Sequence, residues 1–168
     1  MDFYSALPVD AEKVLNYNKE IFREALYLLT TAEEFNMTIE QEKEYLEQIL
    51  LDQGKLALIA EAQEEVIGFL DFHNGHKIRN KHQGTLAMNI AQKYRNQWIG
   101  KALLSSLLDW AERSPLIERV ALEVVTENYP AIRLYRSLGF VEEGRKSKAL
   151  KVNQDTYYDV MLMVRLLK

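Results

Sequence analysis

Two stretches decide how this chain is read: Tyr94-Arg95-Asn96-Gln97-Trp98-Ile99-Gly100-Lys101-Ala102-Leu103-Leu104, and Asn128-Tyr129-Pro130-Ala131-Ile132-Arg133-Leu134-Tyr135-Arg136-Ser137-Leu138-Gly139-Phe140. The first is a polar turn running into an amphipathic helix over residues 101–113. Leu103, Leu104, Leu107, Leu108 and Ala111 share one stripe of that helix. A helix start has unpaired N–H groups and a partial positive charge, which favour phosphate. Gly100 lets a ligand approach the backbone, Asn96 tolerates left-handed conformations, and Arg95 adds charged donors. Taken alone, these residues equally describe a loop capping a core helix. The second stretch reads as a short helix over residues 128–138, closed by Gly139. Asn128 is its N-cap and Tyr135 a core aromatic with a polar tip.

Outward from these stretches, strands and helices interleave. Residues 55–61 and 66–72 form a predicted hairpin around Gln63-Glu64-Glu65, and Thr85 to Ile90 a third strand. Arg119 to Val125 is a buried strand. Residues 140–150 and 157–166 pair as a final hairpin around Asn153-Gln154-Asp155. A helix over residues 10–29 takes Asp10 as N-cap. A second starts at Thr38, with a capping-box match at Gln41, runs to about Asp52 and stops at Gly54. Several neighbouring strands are hairpins, so the expected fold is mixed α/β (α+β) with a mostly antiparallel sheet. No linker or repeat divides the 168 residues, and one domain over 1–168 is expected.

Hydrophobic residues make up 48% and charged residues 27%, an ordinary globular composition. The formal net charge of -4 disfavours nucleic acid as a partner. The absence of cysteine removes disulfides, thiolate metal sites and a cysteine nucleophile. The N-terminus lacks a secretory pattern, and no apolar run reaches the roughly 20 residues of a membrane span. A cytoplasmic protein without membrane contact is the expectation.

In their order and spacing the two stretches resemble the acyl-coenzyme A site of the GNAT superfamily of N-acetyltransferases. That family's pyrophosphate loop reads Gln/Arg-x-x-Gly-x-Gly/Ala. Arg95 fills its first position and Gly100 its last, while Trp98 replaces the middle glycine. The resemblance covers roughly Thr85 to Val164. Residues 141–145 look most like the branch related to ribosomal-protein alanine acetyltransferases. It implies a GNAT-like twisted sheet of about six to seven strands flanked by about four helices. It also implies acetyl-coenzyme A as co-substrate, no metal, an amine acceptor, and a homodimer as one assembly the family uses. The acceptor is a protein N-terminus, an amino acid, a polyamine or an aminoglycoside.

Carried over residue by residue, the cofactor contacts are the backbone of Asn89 and Ile90, the loop Arg95, Asn96, Gln97, Trp98, Ile99, Gly100, Lys101 and Ala102, and Asn128, Ala131 and Tyr135. Tyr135 is implied as the acid that protonates the leaving thiolate. Glu123 is the expected base, since its burial in an apolar strand would raise its pKa. It matches a catalytic Glu five residues before the Asn in part of the superfamily. The alternative for Glu123 is a structural carboxylate paired with Arg119 or another cation. Trp98 keeps open a non-catalytic acyl-coenzyme A sensor or scaffold. A nucleotide-binding protein lacks its phosphate-loop signature here.

Weaker signals surround this core. Asp71 and His73 share a strand face and are expected on its solvated side. Glu33, Glu34, Glu40, Glu42, Glu44 and Glu47 read as a solvated helix face. His73, His76 and His82 make a poor metal set. Tyr157, Tyr158 and Asp159 enter the last strand, where the family often places acceptor contacts.

Overall fold

Apolar alternation and turn chemistry lay the chain out as β1 (Asp2–Ser5), α1 (Ala11–Glu24), α2 (Ile39–Leu51), β2 (Lys55–Ala62), β3 (Glu65–Asn74), β4 (Gln83–Ile90), α3 (Ile99–Arg113), β5 (Arg119–Val125), α4 (Tyr129–Ser137), β6 (Val141–Lys151) and β7 (Tyr157–Leu166). These assignments come from a computed structural model that describes residues 1–167. The strands form one seven-stranded sheet in the order β1-β2-β3-β4-β5-β7-β6. Every neighbouring pair is antiparallel except β4 with β5. A parallel pair needs a crossover, and α3 supplies it. Among the described residues no helix is long and apolar enough to cross a membrane.

Two apolar cores sandwich the sheet. On one face Leu58, Leu70, Leu86 and Leu122 pack with Leu103, Leu104 and Leu107 of α3 and Ile132 of α4. On the other, Ala57, Ile59 and Phe69 pack with Val14, Tyr17 and Ile21 of α1 and Leu46 and Ile49 of α2. The Thr38 box forms as expected: Gln41 N–H donates to Thr38 Oγ1 at 3.2 Å, and Thr38 N–H to Gln41 Oε1 at 2.9 Å. At the first helix the expectation is partly overturned. The helix ends at Glu24, short of Leu29, and Asp10 sits at its N-cap without a side-chain cap bond. Asp10 Oδ2 instead accepts from Leu7 N–H at 2.9 Å, which fixes the turn before the helix.

The decisive feature lies at the centre of the sheet. β4 and β5 are in register only over Gln83–Arg119, Gly84–Val120 and Thr85–Ala121. Beyond them β4 runs on to Ile90, paired with β3, and β5 to Val125, paired with β7. The sheet therefore opens between the carboxyl ends of two parallel strands. The N-termini of α3 and α4 follow those same ends, a topological switch point where ligands bind in open α/β sheets.

α3 holds the two halves together on one face. Leu104 is fully buried at its middle. Leu104→Ala should lower unfolding stability by about 2–5 kcal/mol, as for other buried leucines, read by urea denaturation. A loss under about 1 kcal/mol would show that α3 is not the keystone described here.

Candidate active site

Backbone hydrogen-bond phase decides which groups face the opening. Ala91 N–H bonds Ile67 C=O at 2.9 Å, and Gly75 N–H bonds Gln83 C=O at 3.0 Å. Odd-numbered residues of β4 therefore turn their backbone groups toward β3, and even-numbered ones toward β5. This corrects the expectation for Asn89. Its backbone belongs to the β3 ladder, and its carbonyl also accepts from Tyr17 Oη at 2.5 Å. Ile90 does face the gap, and so does Met88, which sequence reading missed. The Ile90 carbonyl accepts from Arg95 Nε at 3.0 Å, leaving the Ile90 N–H as the donor at the strand end.

The turn after β4 is tied to its surroundings by side chains and early amides. Glu24 Oε1 accepts from Gln92 N–H at 2.9 Å, and Gln97 Nε2 donates to the Lys93 carbonyl at 3.1 Å. The first bond of α3 runs from Ala102 N–H to the Trp98 carbonyl at 3.0 Å. Among the described residues nothing accepts from the amides of residues 96–101. That run of free N–H groups at the start of a 15-residue helix has the donors and the dipole end that could hold a phosphate. The Arg95 guanidinium is exposed beside it. Ile99 contributes its amide alone, because its side chain is buried in the core.

Two residues of the turn are left-handed, Asn96 at φ 59° and Trp98 at φ 66°. Trp98 thus adopts a backbone conformation that glycine takes more easily. Its ring stands outside, 76% exposed, with Lys101 Nζ 5.2 Å from its centroid. Gly100 also has a packing role: a Cβ there would meet Leu134 at 3.2 Å and Met88 at 3.4 Å, so this glycine lets α3 close on α4 and β4.

At the end of β5, Asn128 holds the N-cap position of α4 but makes no side-chain cap bond. Its backbone N–H bonds the Val125 carbonyl at 2.9 Å, so the side-chain amide is the group that could meet a ligand. Ala131 packs at the edge of the α3 core. Tyr135 is buried, its ring 5.9 Å from that of Phe140. Burial alone pushes its phenol up to about 12, so it stays protonated at neutral pH. Among the described residues its hydroxyl makes no hydrogen bond.

The face away from α3 and α4 is bare at the centre. Thr85 and Ala87 on β4 and Glu123 on β5 are all exposed there. The expectation that burial tunes Glu123 is overturned: its side chain is half exposed, and Lys146 Nζ lies 2.5 Å from its Oε1. The partner is Lys146, since Arg119 pairs with Glu143 at 2.5 Å. Tyr27, from the α1–α2 loop, meets Tyr158 of β7 edge-on at 5.5 Å, bridging the two sides of this groove. Asp159 instead caps the hairpin, accepting from Lys148 N–H at 2.7 Å. The opposite wall carries Tyr45, Asp71 and His73. Tyr45 Oη donates to Asp71 Oδ2 and lies 2.7 Å from His73 Nε2. Glu42 and Asp71 are not on solvated faces as expected: Glu42 is 2% exposed and Asp71 is partly buried. Burial, helped by the Asp71 charge, raises the Glu42 carboxyl to about 7. Among the described residues no group of His, Asp and Glu is arranged to hold a metal ion. A separate cleft of about 780 Å³, lined by Tyr17, Glu20, Glu24 and Ala91, lies on the β3 side of β4, away from the gap.

The acetyltransferase (GNAT) family model matches residues 19–140, from within α1 to just past α4, and so takes in both strands of the gap. The chain belongs to the GNAT family of acetyltransferases. Its reaction is acetyl transfer from acetyl-coenzyme A to an amine. An L-amino acid N-acetyltransferase of Escherichia coli is 26% identical over 67% of this chain and 68% of its own length. A GNAT-family acetyltransferase from Streptococcus pneumoniae superposes with a TM-score of 0.95 at 25% identity, covering 99% of both chains. A Salmonella typhimurium protein solved with its cofactor acetyl-CoA shares the fold at a TM-score of 0.86, with 18% identity over 100% of this chain and 94% of that one.

The left-handed Trp98 generates a stability prediction. A left-handed non-glycine residue costs about 1–2 kcal/mol, against about 0.5–1 kcal/mol for the extra chain entropy of glycine. Trp98→Gly should therefore raise unfolding stability by about 0.5–1 kcal/mol in urea denaturation. A loss of stability would mean that the ring contributes packing that its exposure conceals.

Proposed function

We propose that the chain acetylates a primary amine by direct attack within a ternary complex. The observation that carries this is the β4–β5 gap. On the α3 side it is flanked by the amide cradle, Asn128 and Tyr135. On the α1–α2 side it meets an open groove that ends at Glu123. Acetyl-coenzyme A enters from the first side. Its pyrophosphate sits on the amides of residues 96–101, its pantetheine arm runs beside Met88, Ile90 and Asn128, and its thioester carbonyl meets the Ile90 N–H. The amine enters from the second side.

The chemistry then balances simply. The amine nitrogen forms a bond to the acetyl carbon, the carbon–sulfur bond breaks, and one proton moves from nitrogen to sulfur. A Lys-like amine has a pKa of about 10.4 and must lose a proton before it attacks. Glu123 accepts it, with Lys146 holding one carboxylate oxygen and the other left open. Tyr135 donates a hydrogen bond to the departing sulfur. With its phenol near 12 and a free thiol near 8.5, the pKa order makes this donation a stabilisation of the thiolate; the first proton leaves through Glu123 to solvent, and the nitrogen loses a second as the amide forms, which ends on the thiol. The scaffold alternative was kept open by Trp98, and the exposed ring of that residue is compatible with a catalytic site.

Two substitutions test these roles by thiol release from acetyl-coenzyme A. Tyr135→Phe should lower kcat by about 10²-fold or more while acetyl-coenzyme A binding changes little; unchanged turnover removes Tyr135 from the chemistry. Glu123→Gln should lower the rate most near neutral pH, and the deficit should shrink as rising pH neutralises the amine itself. A deficit that stays constant across that range would rule out a base.

A further inference from the structure

We propose that the end of the sheet opposite the β4–β5 gap is a docking surface for an anionic membrane, with the turn His76-Lys77-Ile78-Arg79-Asn80-Lys81-His82 as its apex. The cations of that turn meet lipid phosphates, and Ile78 enters the acyl boundary. This departs from the expectation of no membrane contact, but a surface contact needs no spanning helix. It is separate from acetyl transfer and does not rest on it.

The turn between β3 and β4 holds Lys77, Arg79 and Lys81, two histidines and no acid, in a chain of net charge -4. All three cations are exposed, and among the described residues none of them joins an ion pair. The acids at its flanks do little to offset them. Asp52 is taken up by Gly54 N–H at 2.8 Å and Lys55 Nζ at 3.4 Å. Glu118 lies beside His82, whose carbonyl accepts from the Glu118 N–H at 2.8 Å. One open carboxylate does not balance three cations. The turn is also tied down. The Lys77 carbonyl accepts from Asn80 N–H and from Lys81 N–H, each at 2.9 Å, and Asn80 Oδ1 accepts from Lys77 N–H at 2.8 Å. Asn74 Nδ2 donates to the Lys81 carbonyl at 2.9 Å, and Gly75 N–H to the Gln83 carbonyl at 3.0 Å. The backbone that carries the cations is ordered by the fold, so binding does not have to order it.

Ile78 decides the partner. A scattered exposed aliphatic is ordinary, but this one is 86% exposed at the apex of the turn, between Lys77 and Arg79. Nucleic-acid phosphates reward the cations and not the isoleucine. An anionic bilayer rewards both, through its surface potential and its acyl boundary. Two more aliphatics stand at the same end of the sheet. Leu51 closes α2 just before Gly54, which lies against Asn74 at the foot of the turn. Leu166 closes β7 opposite Arg119, and Arg119 lies opposite Gln83 at the start of β4. Both leucines are largely exposed. From the start of β2 to the end of β7 is four strand spacings, about 19 Å, so the three aliphatics form a row with the cationic turn within it. Docking by this end turns the carboxyl ends of β4 and β5 toward solution, and the gap stays open.

The test is co-sedimentation of the full chain with vesicles of phosphatidylcholine alone and of phosphatidylcholine mixed with phosphatidylglycerol. The chain should pellet only with the anionic vesicles, and added NaCl should release it. A Lys77→Gln, Arg79→Gln, Lys81→Gln triple variant and an Ile78→Ser variant should each weaken partitioning by at least about 10-fold. All four side chains are exposed, so the urea transitions of both variants should match that of the unmodified chain. No pelleting, equal pelleting with neutral vesicles, or pelleting that either variant leaves unchanged would overturn the proposal. Fluorescence anisotropy with a labelled single-stranded RNA is the second arm. RNA binding that the triple variant loses and Ile78→Ser keeps, without vesicle binding, would assign the turn to nucleic acid instead. Anionic-vesicle binding by a chain that releases no thiol from acetyl-coenzyme A would leave this surface standing without the proposed reaction.

Discussion

The structure depends on one broken pairing. β4 is hydrogen-bonded along its whole length to β3, and β5 along its whole length to β7, yet the two share only three residue pairs. Each strand is held straight by its outer neighbour, so neither can follow the other once they diverge. The even-numbered backbone groups of β4 beyond Thr85 are left without a strand partner in the middle of a sheet. Unpaired backbone groups are destabilising when kept from water, so a gap of this kind is stable only where solvent or an extended ligand enters it. An amide-bearing arm laid alongside β4 supplies what the missing strand would have supplied.

The rest of the site is arranged around that gap by side chains that hold backbone in place. Tyr17 reaches from α1 to the Asn89 carbonyl, and Arg95 returns from the loop to the Ile90 carbonyl. Together they pin the last two residues of β4 from opposite sides. Glu24 then fixes the turn that follows. These anchors commit groups on the near side of the loop, and the amides of residues 96–101 stay uncommitted as a consequence. The left-handed residues Asn96 and Trp98 belong to the same economy of shape: the chain must reverse within a few residues to start α3 where the gap ends.

Much of this was legible in the sequence because it is local. Thr38 with Gln41 and the leucine stripe of α3 state their roles within a turn or two of chain. β1 was not legible: Asp2–Ser5 is a four-residue edge strand, mostly exposed, with no alternation to betray it. The helix over residues 10–29 was drawn too long because Leu28 and Leu29 continue its apolar pattern after the fold has turned away; Leu29 is largely exposed, and Leu28 packs against the second core from outside the helix. Glu123 was misjudged for a different reason. Flanked by Leu122 and Val124, it reads as buried, but a sheet face is covered only where something packs on it, and α1 and α2 stop short of β5. Glu42 shows the converse. Within a run of acidic residues it looks solvated, and only the docking of α2 on α1 and β2 turns that one carboxyl inward. Coverage of a strand or helix face is a property of topology, which residue pattern does not encode.

The two faces of the gap also bear on how the reaction must be organised under the proposed reading. The cradle, Asn128 and Tyr135 lie on the α3 side, and the open groove lies on the other. A coenzyme filling the first leaves the second free, so neither substrate has to leave before the other arrives. With no cysteine in the chain, and with Glu123 held by Lys146, nothing along the gap is poised to carry an acetyl group between two half-reactions. Geometry thus favours direct transfer through the sheet. The same separation explains how specificity can change independently of cofactor use. Residues of α2, β3 and the β6–β7 hairpin lie on the groove side and the loop after β4 on the other, so under the proposed reading changes that alter the amine leave the coenzyme side untouched.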